Sequence, residues 1–184
     1  MKSLYVPILV ALFFTAGGYQ VAKAGNTCSK PKQVAIKAEE PKIEWLSIEE
    51  ACKRNRKKPK KIIVDVYTNW CGWCKKMDKI TFGDPKVAEI INKDFYAVKF
   101  NAEGPDNVIF NDELYKFNSQ RNANDLAVKW LNGEMGYPTI VYLNEKMETI
   151  KAMQGYYGPE DYPKVLEYIR TGAYKKKSFE QYIR

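Results

Sequence analysis

Apolar residues fall into two kinds of pattern along this chain, continuous β-branched runs and helical stripes, and their order sketches a fold. Lys61 to Tyr67 is an almost unbroken apolar run, the pattern of a strand buried on both faces. Phe95 to Asn101 reads as a second such strand. Residues 139–143 and 149–153, parted by the polar Asn144-Glu145-Lys146, read as an antiparallel pair. Ser47 and Glu50 match a capping box for a helix with Ile48, Ala51 and Cys52 on one face, ending before Pro59. A helix from Cys71 should run through Met77 and Ile80, and Asp84-Pro85 caps a short one with Val87, Ala88 and Ile91. Residues 108–110 and 114–117, around Asn111-Asp112-Glu113, suggest a hairpin, and residues 124–131 a helix with Leu126, Trp130 and Leu131 inward. Pro159 should open a last amphipathic helix with Tyr162, Val165, Leu166 and Ile169. Strands joined first through helices and later by a turn give an α/β fold, a mixed central sheet with helices on both faces.

The two ends add organisation. A basic start at Met1-Lys2-Ser3, an apolar stretch from Leu4 to about Ala16 and a small-x-small site at Ala22-Lys23-Ala24 are the parts of a secretory leader. As a membrane anchor the run falls short of the roughly 20 apolar residues a spanning helix takes. A lipid anchor would use Cys28, but Thr27 is a poor neighbour for a lipidated cysteine. The expected division is therefore a leader over 1–24, a polar lead-in over 25–42 with Pro31 and Pro41, one domain over 43–174, and a basic tail over 175–184. Export puts the domain in a periplasm, where no stable membrane insertion follows cleavage; an uncleaved leader would tether it instead.

Charge changes the picture little. The formal charge is +8, with basic runs at residues 53–61 and 175–177. Solvated helix ends and a tail account for them, and no basic–aromatic motif indicates a nucleic-acid partner. The chain has no histidine, which excludes Ser–His and Cys–His catalysis and every histidine-bearing metal site. A four-thiolate zinc site needs two tight cysteine pairs, and Cys28 and Cys52 do not form one.

The remaining pair carries the chemistry. Cys71 and Cys74 stand three positions apart where the apolar run gives way to a helix, so they can close into a small disulfide and reopen. The helix terminus supplies partial positive charge that favours a thiolate at Cys71. Neither an organic cofactor nor a metal is called for. Asp65 is a charged residue inside an apolar strand, where burial would penalise it, unless it faces solvent at the strand end.

The segment resembles the thioredoxin family. The resemblance rests on Val64-Asp65 preceding Trp70-Cys71-Gly72-Trp73-Cys74 and on the loop Gly136-Tyr137-Pro138-Thr139, and it covers roughly residues 45–171. It implies a thioredoxin-like fold and thiol–disulfide exchange, with Cys71 the exposed nucleophile and Cys74 the resolving thiol. Asp65 takes the place of the buried acid that handles the proton of Cys74. Lys99 matches the lysine beside that acid, or is a plain strand lysine. Pro138 is expected to be cis, with Tyr137 offering backbone groups to an extended substrate. Trp70 and Trp73 either pack or meet apolar, partly unfolded substrates.

Gly72-Trp73 departs from the family's Gly-Pro and from the histidine-bearing dipeptides of oxidases and isomerases, which favours a reductant. The implied partners are proteins with disulfides and a membrane-bound or soluble thiol electron donor. Isomerase and oxidase are the alternatives, along with a redox-inactive binding or chaperone module. Cys52 reads as a buried inert thiol, or as a partner for Cys28. About 20 residues beyond the shorter family pattern lie between Asn101 and Pro138; the hairpin and a helix fall within this insertion.

Overall fold

The structure is a computed structural model and describes residues 40–184; the leader, Cys28 and most of the lead-in lie outside the described residues. Strand β2 (Lys61–Tyr67) is the centre of a five-stranded sheet. It pairs in parallel with β3 (Phe95–Asn101), and β3 with the short edge strand β1 (Trp45–Leu46). On its other side β2 runs antiparallel to β8 (Thr139–Leu143), which pairs with β9 (Thr149–Gln154). The sheet is mixed because early strands are linked by helical crossovers and the last two by a turn.

Side-chain alternation along β2 splits the interior in two. Ile62, Val64 and Val66 pack against α1 (Ile48–Lys57) and α4 (Asp125–Trp130), together with Val141 and Leu143. Ile63 faces the opposite core with Met77 of α2 (Gly72–Ile80), Ile91 of α3 (Pro85–Asp94), and Leu166 and Ile169 of α5 (Tyr162–Arg170). By the same alternation Asp65 belongs to the α2 side.

Local signals act largely as the sequence reads. Ser47 Oγ accepts from Glu50 N at 3.2 Å, although Glu50 turns its carboxylate to Arg54 Nε at 3.1 Å instead of closing a full box. Asp84 Oδ1 accepts from Lys86 N and Val87 N, with Pro85 at the first helical position. Two expectations are corrected. The last long helix begins at Tyr162, not Pro159, because Gly158 O first closes a turn onto Asp161 N and Tyr162 N. Residues 175–184 are not all loose chain: α6 (Phe179–Tyr182) is capped by Ser178, and its Phe179 and Tyr182 rings lie 5.4 and 5.2 Å from Tyr168.

The insertion holds more than one hairpin. Strands β4 (Val108–Phe110) and β5 (Glu113–Tyr115) pair around Asn111 and Asp112, both at positive φ as a tight two-residue loop demands. Phe117 then leaves β5's line and starts a second pairing, β6 (Phe117–Asn118) with β7 (Ala123–Asn124). Asn124 caps α4 through its side chain and donates its N–H to Ala102 O at 2.7 Å. Ala102 N reaches Tyr67 O at 2.8 Å, so the insertion is fastened to the end of β2, beside the cysteines.

Candidate functional site

β2 ends at Tyr67, and a short turn brings Cys71 to the N-cap of α2. Cys71 N donates to Thr68 O at 3.2 Å, and Cys71 Sγ accepts from Cys74 N at 3.0 Å. Cys71 and Cys74 are joined in a disulfide with S–S 2.04 Å and Cα–Cα 5.3 Å. No acid occupies the first turn of α2, so nothing there offsets the positive end of the helix at Cys71. The family resemblance implies that Cys71 is the more exposed cysteine; within the disulfide both are buried, Cys71 at 4% and Cys74 at 2% exposure.

A chain of three charges, Asp65, Lys99 and Asp78, joins β2 and β3 to α2. Asp65 is buried, and its register partner across β2 and β3 is Lys99. Lys99 Nζ donates to Asp65 Oδ2 at 2.6 Å and, very closely, to Asp78 Oδ1. Asp78 is four residues beyond Cys74 on α2, so the two share a helix face, and Asp78 on that face meets Lys99. Burial pushes the Asp65 carboxyl up to about 6, although the Lys99 ammonium pulls it back and Asp78 adds a small push. Lys99 is held above its ordinary value because the two acids outweigh its own desolvation. Its ammonium also lies 4.9 Å from the Trp45 ring and 5.1 Å from Tyr67. Asp65 Oδ1 and Thr68 Oγ1 are buried without a hydrogen-bond partner in the described structure.

Aromatic rings rim the disulfide. Trp70 is 67% and Trp73 56% exposed, conspicuous for indoles. Trp70 stands edge-on to Tyr137 at 5.9 Å, and its Nε1 donates to both oxygens of Glu103 at 3.0 Å. Trp73 lies 5.5 Å from Tyr156, and Lys76 Nζ sits 4.6 Å over the Trp73 ring. Lys76 therefore acts on the rim by way of Trp73, three residues before it. The Tyr137–Pro138 bond is cis. Pro138 O accepts from Gly155 N at 2.9 Å, and Thr139 Oγ1 donates to Gly136 O at 2.7 Å. A Cβ on Gly136 would fall 1.8 Å from Gln154 Nε2, so a larger residue there would displace the end of the Gln154 side chain.

The structure thus joins Asp65 through Lys99 to Asp78, one turn along α2 from Cys74, and sets Trp70 against Tyr137 of the cis-Pro138 loop and Trp73 against Tyr156. Sequence reasoning missed Asp78, Glu103, Tyr156 and the role of Lys76. Asp78 and Lys76 had a signal, their helical spacing from Cys74 and Trp73. Glu103 and Tyr156 had none, because their contacts are made only by the tertiary fold. Cys52 is a buried free thiol, its pKa raised by burial. Among the described residues no cluster of three or more His, Cys, Asp or Glu is placed to hold a metal ion, and no helix is long and apolar enough to cross a membrane.

Comparison with known proteins gives a consistent picture. The family profile of the thioredoxin-like domain matches residues 48–170. An uncharacterized protein of Caenorhabditis elegans is 28% identical over 136 residues, covering 70% of this chain and 17% of that protein. Thiol:disulfide interchange protein DsbD of Salmonella typhimurium is 29% identical over 87 residues, 47% of this chain and 12% of that protein. The chain thus spans less than a fifth of either relative. Among solved structures, a DsbH oxidoreductase superposes with TM-score 0.50 at 18% identity over 84% of this chain and 96% of its own. A Bacteroides thetaiotaomicron protein provisionally named a disulphide isomerase gives TM-score 0.51 at 26% identity, over 77% of this chain and all of its own.

Proposed function

The chain belongs to the thioredoxin-like domain family, and on that basis we propose that it is an exported thiol–disulfide oxidoreductase that reduces protein disulfides in a periplasm. The observation that carries the reading is the Cys71–Cys74 pair at a helix N-terminus, with a buried high-pKa acid on the strand that leads into it. The thiolate of Cys71 attacks a substrate disulfide, forming a mixed disulfide and releasing one substrate thiol. Cys74 then gives its proton to Asp65 and attacks Cys71 Sγ. The second substrate thiol leaves, and the chain is left with the Cys71–Cys74 disulfide. Two electrons have passed to the substrate, and an external thiol donor returns them.

A carboxyl near 6 suits the proton step, since it is largely ionised at neutral pH yet basic enough to accept. The cis-proline loop and the aromatic rim would hold the substrate as an extended strand. Absence of histidine favours reduction over oxidation, because no imidazolium stabilises the Cys71 thiolate. The Bacteroides likeness keeps isomerisation as the second reading.

Insulin reduction driven by dithiothreitol tests the proposal against a redox-inactive binding module. The rate should depend on Cys71 and vanish in Cys71→Ser, whereas a binding module would show no such dependence. Cys74→Ser should accumulate mixed disulfides with partner proteins through Cys71. Equal capture by Cys71→Ser would overturn the assignment of the two sulfurs.

A further inference from the structure

The insertion sets one charged group on the rim. Glu103 accepts from Trp70 Nε1 on both carboxylate oxygens at 3.0 Å, and from Asn122 Nδ2 on Oε1 at 3.3 Å. Its own N–H is held by Asn101 Oδ1 at 3.1 Å, and the neighbouring Ala102 is pinned on both sides by backbone hydrogen bonds. Both side-chain donors to Glu103 are neutral, so they fix the carboxylate without cancelling its charge. The charge is felt across the rim: Tyr137 is pushed up to about 12, by burial first and by Glu103 second. At Trp73 the sign is reversed, for there the charge is Lys76.

A fixed anion next to an exposed indole is a receptor for one kind of side chain. The alkyl stem of a lysine or arginine can lie along the exposed Trp70 ring while its cation meets Glu103. An acidic residue in that place would meet like charge and an unsuited ring face. We propose that Glu103 is a specificity-determining residue, selecting disulfides in extended segments that carry a lysine or arginine beside the attacked cysteine. The proposal rests on the exchange chemistry above and narrows its substrate class.

The test uses two disulfide-bonded peptides that differ only by Lys or Glu beside the cysteine, reacted with the reduced full chain. Wild type is compared with Glu103→Gln, which keeps an acceptor for the Trp70 N–H. At low salt the lysine peptide should react about two- to fivefold faster, the range of an exposed ion pair. The ratio should shrink at about 0.5 M salt, where the Debye length is a few ångströms, and approach one in E103Q. Equal rates in the wild type, or a preference that E103Q leaves intact, would overturn the selection while leaving the exchange reading standing. If neither peptide nor a small aromatic disulfide reacts, the exchange reading itself fails and the selection falls with it.

Discussion

Lys99 Nζ lies 2.6 Å from Asp65 Oδ2, and the carboxyl still titrates at about 6 instead of its ordinary 3.8. Desolvation of an enclosed carboxylate outweighs one close ammonium, particularly one shared with Asp78. The folded-state value is raised, so the stability tied to neutral Asp65 is complete below about 4 and is lost as pH rises through about 6. At pH 7 the ionised group costs on the order of 2–3 kcal/mol. Asp65→Asn is therefore expected to be more stable than wild type at neutral pH, with the gap closing toward pH 4. Urea unfolding across that range checks it; a gap that widens on acidification would contradict the assigned cause.

The same substitution should slow chemistry. Without a base for Cys74, the mixed disulfide is expected to live about 100-fold longer at pH 7. The difference should narrow as pH passes roughly 8.5, where a thiol ionises unaided. Quenched-flow trapping with mass analysis measures both effects.

Trp73 meets Tyr156 and Lys76 while more than half exposed, an arrangement that gains little by folding alone. Trp73→Ala is expected to lower kcat/KM for insulin about three- to tenfold, the scale of an aromatic contact. The loss with a small disulfide reagent should be smaller. Equal losses would make the ring a positioning element for the thiols instead of a substrate contact.

The C-terminal segment is expected to matter for stability. Tyr168 OH donates to Lys177 O at 2.7 Å, and Phe179 and Tyr182 cover the Tyr168 ring. Deleting residues 178–184 should cost about 2–3 kcal/mol by uncovering apolar surface. A loose basic tail would cost nothing measurable by thermal or urea unfolding.

These residues also mark how far the sequence could be read. β2, β3 and β8 were legible because burial on both faces writes itself as continuous apolar runs, and Ser47 and Asp84 because caps are local chemistry. The cysteine pair, Asp65 and the Gly136–Thr139 loop were legible as motifs. The start of α5 was not, since Pro159 suits a helix start and only the turn that Gly158 O closes onto Asp161 N and Tyr162 N moves it to Tyr162. α6 was hidden by lysines that suggest a tail, although Phe179 and Tyr182 carry the burial. Glu103 could not be found at all: its grip on Trp70 spans 33 residues and exists only once the insertion is fastened to β2.

The direction of electron flow is the centre of the account, and equilibration of Cys71–Cys74 with a glutathione redox buffer tests it most directly. A reduction potential of roughly −270 mV is expected for a reductant lacking an imidazolium at the pair, whereas one of roughly −120 mV would make the chain an oxidase and contradict the reading.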